Sequence, residues 1–217
     1  MGAIARAAAN NITTSGVFTS SAIANSSVTG ITVLANASDG ITLISSQTAS
    51  NSASISFTSG LTSTYKAYKF VFSNIHARTD AVQFQFNMST DGGSNYNVTK
   101  TTTFFRSYAD EAGTDSGLVY VSSGDLAQST SFQRILNDNG SGADEAGNGT
   151  LILFNPSSTT YVKHFISSSE KTSGGFSAND FSAGYGNTTS AVNAIQFKFS
   201  SGNIADGIIK LYGVKKS

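Results

Sequence analysis

Apolar and polar side chains alternate along short stretches of this chain, and each stretch closes in a cluster of Gly, Asn, Asp or Ser. Val82, Phe84, Phe86 and Met88 are interleaved with Gln83, Gln85 and Asn87. A strand sends successive side chains to opposite faces, so this segment predicts a strand with an aromatic face and an amide face. The same period of two recurs in Tyr68, Phe70 and Phe72 around Lys69, and in Ile195, Phe197 and Phe199 around Gln196 and Lys198. Further strands are expected over 41–45, 53–57, 102–108, 118–122, 131–136, 150–155, 161–167 and 207–214, about ten or eleven in all. Helical periodicity is nearly absent.

Leu151, Ile152, Leu153 and Phe154 run without alternation, as in a strand covered on both faces or engaged with another subunit. Pro156, the only proline, follows that run, where it removes no interior ladder bond. Asp91, Gly92 and Gly93 directly after Met88 predict a hairpin joining that strand to the next. Ser173-Gly174-Gly175 and Gly184-Tyr185-Gly186 match neither a P-loop nor a dinucleotide fingerprint, and are expected to be turns. With 15 Phe for one core and no intervening helices, the pattern predicts an all-β fold: an antiparallel two-sheet sandwich, jelly-roll-like, over residues 51–217.

Residues 1–50 read differently. Between Arg6 and Lys66 the only charged side chain is Asp39, and isolated apolar residues sit among small polar ones. Such a stretch cannot form its own core, so it is expected to be an extended, charge-poor N-terminal arm ordered against other chains. Ile4, Arg6, Ile12, Val17, Phe18 and Ile23 are its candidate partner contacts.

Composition narrows the function. The 217 residues carry 13 Lys+Arg and 13 Asp+Glu, so the basic excess that holds nucleic acid by its phosphates is missing. Only 12% of residues are charged, which leaves hydroxyls and amides as the solubilising groups. Without cysteine there is no disulfide, thiolate metal site or thiol nucleophile. No apolar run approaches the roughly 20 residues that span a bilayer, so a soluble chain without a signal peptide and without a membrane partner is expected.

Candidate chemistry is thin. His76 and His164 are the two histidines; His164 reads as an alternating strand residue and His76 as a solvated loop residue before Arg78 and Asp80. No G-x-S-x-G occurs to present a nucleophilic serine. Asp110 with Glu111 and Asp144 with Glu145 are the adjacent acid pairs that glycoside cleavage would draw on as acid and base, and wet loops explain them as well. Asn137 to Glu145 is rich in oxygen ligands for Ca²⁺ but lacks EF-hand spacing. The expectation is therefore no catalytic residue, no metal and no cofactor. Tyr96, Tyr120 and Tyr185, near predicted turns, are candidate glycan contacts.

Two segments carry a resemblance. Phe84-Gln85-Phe86-Asn87-Met88-Ser89-Thr90-Asp91-Gly92-Gly93-Ser94-Asn95-Tyr96 resembles a hairpin of bacteriophage structural proteins, and Ser201-Gly202-Asn203-Ile204 through Gly207-Ile208-Ile209-Lys210-Leu211-Tyr212-Gly213 resembles their C-terminal strand. Leu126 to Thr130 and Phe154 to Tyr161 are similar to virion proteins of marine and cyanobacterial tailed phages. The resemblance covers roughly residues 50 to 217. It implies a non-enzymatic virion protein, a capsid decoration, cement or tail-associated β-sandwich, assembled in the bacterial host cytoplasm and contacting other capsid or tail subunits through its arm. It also implies a homo-oligomer, often a trimer in such particles. A receptor- or glycan-binding module of a tail fibre is the alternative.

Overall fold

The computed structural model describes residues 40–214. Twelve strands form two antiparallel sheets: β1 (Ile41–Ser52), β2 (Ile55–Phe57), β3 (Ala67–Ala77), β4 (Val82–Ser89), β5 (Lys100–Asp110), β6 (Ser116–Tyr120), β7 (Gln133–Asn139), β8 (Ala146–Phe154), β9 (Lys163–Ser173), β10 (Phe176–Gly186), β11 (Ala194–Phe199) and β12 (Ile204–Val214). One sheet runs β1-β12-β3-β8-β9-β10-β5-β6 and the other β2-β11-β4-β7. The chain is the all-β sandwich that the alternating pattern predicts.

The strand order has a simple origin. β1 pairs with β12, β2 with β11, β3 with β8 and β4 with β7, so the two halves of the chain run as one long antiparallel ribbon. Folding that ribbon over itself gives β1-β12-β3-β8 facing β2-β11-β4-β7, the two four-stranded sheets of a jelly roll. Two insertions are added to this frame. The hairpin β5–β6 lies between β4 and β7, and β9–β10 lies between β8 and β11. Both join the larger sheet beyond β8, so eight strands oppose four.

The predicted aromatic face is the core. Phe57, Phe70, Phe72, Phe84, Phe86, Phe165 and Phe197 are almost wholly buried. Their rings meet edge to face or tilted across the sheets, Phe70 to Phe197 at 5.3 Å and Phe86 to Phe165 at 4.9 Å. Each buried ring contributes on the order of 2 to 3 kcal/mol of transfer free energy, which explains a core built without tryptophan.

Several sequence expectations are corrected. Residues 41–50, assigned to the arm, belong to β1 and pair with β12, so the body starts before the boundary at 51. The pattern predicts a strand over 41–45, but the Ser and Thr side chains that follow hide its continuation to Ser52, and its partner lies in β12, far along the chain. The turn at Asp91 to Gly93 exists, with positive φ at both glycines, but it joins no hairpin: β4 stays in the small sheet and β5 crosses to the large one. There Ser89 Oγ and the Asn95 amide groups bond the Asp91 carboxylate and hold its pKa down to about 2. Gly184-Tyr185-Gly186 is not a turn but the end of β10. His76 is not a solvated loop residue but a half-buried member of β3. Ile4, Arg6, Ile12, Val17, Phe18 and Ile23 lie outside the described residues.

Candidate functional site

Alternation along the large sheet gives it two chemically different faces. The inner face carries Phe70, Phe72, Leu151, Leu153, Ile209 and Leu211 over the jelly-roll frame, all buried. Under the inserted hairpins the same face becomes polar. Lys163, Ser167, Ser169 and Lys171 of β9 and Asp180 and Ser182 of β10 are buried there. Among the described residues β7 ends the small sheet, and no fifth strand of that sheet lies over these positions.

Buried charges and polar groups are joined in this interior. Lys171 donates to the Asp138 carbonyl, the Asn137 amide donates to Asp180 Oδ2 at 2.6 Å, and Arg106 Nη1 lies 3.5 Å from Asp138 Oδ2. Burial pushes the Asp180 carboxyl up to about 6 against the opposing pull of Arg106 and Lys171. Lys100 on β5 is fully buried beside neutral partners, donating to Asn87 Oδ1 at 2.5 Å and the Val98 carbonyl at 2.8 Å. Burial pushes its amine down to about 7. These groups lie inside the sandwich and bind strand to strand; sequence reading passed over them, although Lys163 and Lys171 share the parity of Phe165.

The outer face mixes exposed apolar side chains with hydroxyls and amides and carries few charges. Register places Leu43, Tyr212, Lys69, Ile152, Ile166, Ala183 and Thr103 in one row across seven strands. A second row runs Ser168, Phe181, Phe105 and Tyr120. Among the described residues ten large hydrophobics are strongly exposed, and eight of them (Ile41, Leu43, Phe105, Leu118, Tyr120, Phe154, Ile166 and Ile208) point outward from this one face, from 37% exposure at Phe154 to 73% at Leu118. The Leu151 to Phe154 run is thus covered on one side only, with Leu151 and Leu153 inward and Ile152 and Phe154 outward. Charges on the face are sparse: Lys69, Lys210 and Glu170, and Asp206 beside His76 at the end of β12, with His164 beside Tyr185. The outward positions of β10, β5 and β6 carry none.

At the centre of that uncharged area Phe105 and Phe181 stack, with ring centroids 4.9 Å apart and planes 13° from parallel. Along β5 and β10 a depression of about 290 Å³ lies on one side of the pair, lined by Thr101, Thr103, Ala183, Gly184 and Tyr185. Another of about 240 Å³ lies on the other side, lined by Ser107, Ala109, Ser177 and Asn179. Of the three candidate tyrosines, Tyr120 and Tyr185 lie on this face, in different rows. Tyr96 does not; it lies in the β4–β5 connection, its carbonyl accepting from Asn87 Nδ2.

The acid pairs behave as turn closers. Asp110 accepts from the Thr114 hydroxyl and amide and from the Asp115 amide; Glu145 accepts from the Gly142 and Gly174 amides. These bonds hold both carboxyls below their ordinary pKa, opposite to the shift that keeps a general acid protonated near neutrality. Glu111 does approach the same end, its amide bonding the Gly175 carbonyl. In the 137–145 segment, Asp138 faces Arg106 and Asn139 is buried, with its amide directed to the Ile75 carbonyl. Among the described residues no three His, Asp or Glu side chains gather as metal ligands.

A polar pocket of about 320 Å³ is lined by His76, Arg78, Ser141 and Asp206. His76 Nδ1 lies 3.5 Å from Asp206 Oδ2, and Nε2 lies 2.9 Å from the Gly142 carbonyl. That carbonyl engages the nitrogen a serine nucleophile would need. The candidate site is therefore the outer face of the eight-stranded sheet. No protein-family model, no curated protein and no solved structure gave a match to the chain.

Proposed function

We propose that the chain is a non-enzymatic structural protein of a tailed-phage virion, a capsid decoration, cement or tail-associated subunit held by its N-terminal arm and by the outer face of its large sheet. One observation carries the reading: among the described residues, eight of the ten strongly exposed large hydrophobics lie on a single sheet face where charge is scarce. Patches of this kind mark surfaces that other macromolecules cover, because water solvates them poorly. Burying uncharged hydroxyl-rich surface also avoids the several kcal/mol that each desolvated, unpaired ion costs. The segments at 84–96 and 201–213 support the virion placement through their resemblance to phage structural proteins. Virion partners, homo-oligomerisation and assembly in the host cytoplasm belong to the same reading.

The test uses particles of a phage that carries this gene, produced with the gene deleted. Added full-length chain is expected to sediment with them. A chain lacking residues 1–30 is expected to keep the thermal transition of the body but stay in the supernatant. Retained binding by the truncated chain refutes the role of the arm, and failure of the full chain to bind refutes the placement.

The stacked Phe105–Phe181 pair favours a second reading, recognition of a host glycan. Aromatic faces pack on the C–H faces of sugar rings, and the Thr, Ser and Asn side chains of the flanking depressions offer hydroxyl and amide partners. Saturable, sugar-competed binding on a glycan array that is lost in Phe105→Ala would favour recognition over cementing.

A further inference from the structure

The large sheet ends in a strand that lacks the usual protection of an edge. Unpaired backbone N–H and C=O groups on an edge recruit further strands, and proteins blunt them with short length, bulges, charge or proline. The other three edges here are blunted: β2 has three residues, β1 is interrupted by a register shift at Leu43 to Ser45, and β7 carries Arg134 and Asp138 and two register shifts. β6, Ser116-Gly117-Leu118-Val119-Tyr120, is short at five residues but carries no charge, proline or bulge, and pairs with β5 in unbroken register.

The backbone direction of β6 is fixed by its neighbours in the ladder. The Val121 amide donates to the Phe104 carbonyl, and the Asp115 carbonyl accepts from the Asp110 amide, so odd-numbered residues turn their polar groups toward β5. Ser116, Leu118 and Tyr120 therefore turn theirs outward, and among the described residues no other strand or loop meets them. Leu118 is 73% exposed, and Val119 and Tyr120 are exposed on opposite faces of the strand.

We infer that β6 is the pairing edge for β6 of a second copy of this chain, antiparallel about a two-fold axis through Leu118. In this register Leu118 lies opposite its own equivalent and Ser116 opposite Tyr120, so the three outward-facing residues of each copy exchange N–H···O bonds. Gly117 lies opposite Val119. The Tyr108 ring already covers Gly117, 3.2 Å from where a Cβ would sit, so the isopropyl group of the second copy lands beside an aromatic ring and not against a side chain. Asp115 lies opposite Val121, so the pairing opposes no like charges. The join also makes the outer faces of the two copies continuous, and in that respect it rests on the reading of that face as a contact surface.

The absence of native cysteine makes the register directly testable. In a hydrogen-bonded antiparallel pair the two Cα atoms lie about 5.5 Å apart, inside disulfide range. The full chain with Leu118→Cys is expected to form a covalent dimer under mild oxidation. Ser116→Cys is expected not to, because its equivalent lies about 13 Å away. Leu118→Pro removes an amide that faces away from β5, so it is expected to keep the thermal transition while weakening dimerisation about tenfold or more by analytical ultracentrifugation. A monomeric chain at high concentration, or an oligomer in which Leu118→Cys does not cross-link, overturns the inference. So does concentration-independent protection of the 116–120 amides in a monomer, which would assign the edge to residues 1–39. A trimer that binds particles with β6 free would sink the edge pairing and leave the virion reading standing.

Discussion

Lys100 shows at the scale of one residue why a charge count is a weak guide to where charges lie. By type it belongs to the surface, yet it shares the inward parity of Thr102 and Phe104 on β5 and is fully buried with two neutral oxygen partners and, among the described residues, no counter-ion. Burial disfavours the charged form, which lowers the amine to about 7 in the folded protein against about 10.4 in an unfolded chain. The folded state therefore binds fewer protons than the unfolded one between those values, and stability rises with pH across that window. Below about 7 both states are charged and the full penalty remains. Lys100→Met is expected to flatten this limb: relative to the variant, the wild-type unfolding free energy should gain on the order of 3 kcal/mol from pH 7 to pH 10. Urea titrations at several pH values check this, and parallel pH profiles for the two proteins would exclude a buried, depressed amine. The alternation of β5 was legible in sequence. The polar interior was not, because it depends on β7 ending the smaller sheet, a property of the fold that no local pattern records.

Among the elements, β10 marks the limit of local reading. The strands anchored by Phe84, Phe70 and Phe197 were legible because aromatic alternation and burial point the same way. Gly184-Tyr185-Gly186 looked like a turn because glycine is the usual turn residue, but here it serves close approach between strands. A Cβ on Gly184 would sit 2.4 Å from the Thr101 carbonyl oxygen and 2.8 Å from Thr102 Cγ2. Gly175, in the real turn between β9 and β10, has φ +75° and open space around its Cβ position. The two glycines should respond oppositely to substitution. Gly184→Ala is expected to destabilise by about 2 to 3 kcal/mol through forced separation of β5 and β10. Gly175→Asn is expected to cost about 1 kcal/mol or less, since asparagine tolerates the left-handed region. Chemical denaturation of both variants checks the contrast, and equal losses would show that the β5–β10 contact can relax. β1 was cut short for a related reason: its Ser- and Thr-rich sequence reads as arm until β12, at the other end of the chain, supplies a partner.

For the whole molecule, the sandwich was legible from period-two patterning, whereas the strand order was set by pairings that join distant parts of the chain, such as β1 with β12 and β2 with β11. The same gap hid the candidate site. Phe105, Leu118, Phe154 and Ile166 are scattered singly in sequence, and only the β8-β9-β10-β5-β6 order gathers them on one face. That face determines how the molecule should respond to its solvent. With a net charge of +0 and no charged side chain at the outward positions of β10, β5 and β6, association through it has little electrostatic attraction to screen. Sodium chloride between about 0.1 and 1 M, which shortens the screening length from about 10 to 3 Å, is expected to change the self-association constant less than about threefold. Sulfate is excluded from protein surface and strengthens effective burial, so ammonium sulfate at equal ionic strength is expected to tighten association. Sedimentation velocity across both salt series separates the possibilities. Dissociation by sodium chloride alone would place the contact on Lys69, Lys210, Glu170 and Asp206 and remove the apolar side chains of the face as the driving surface.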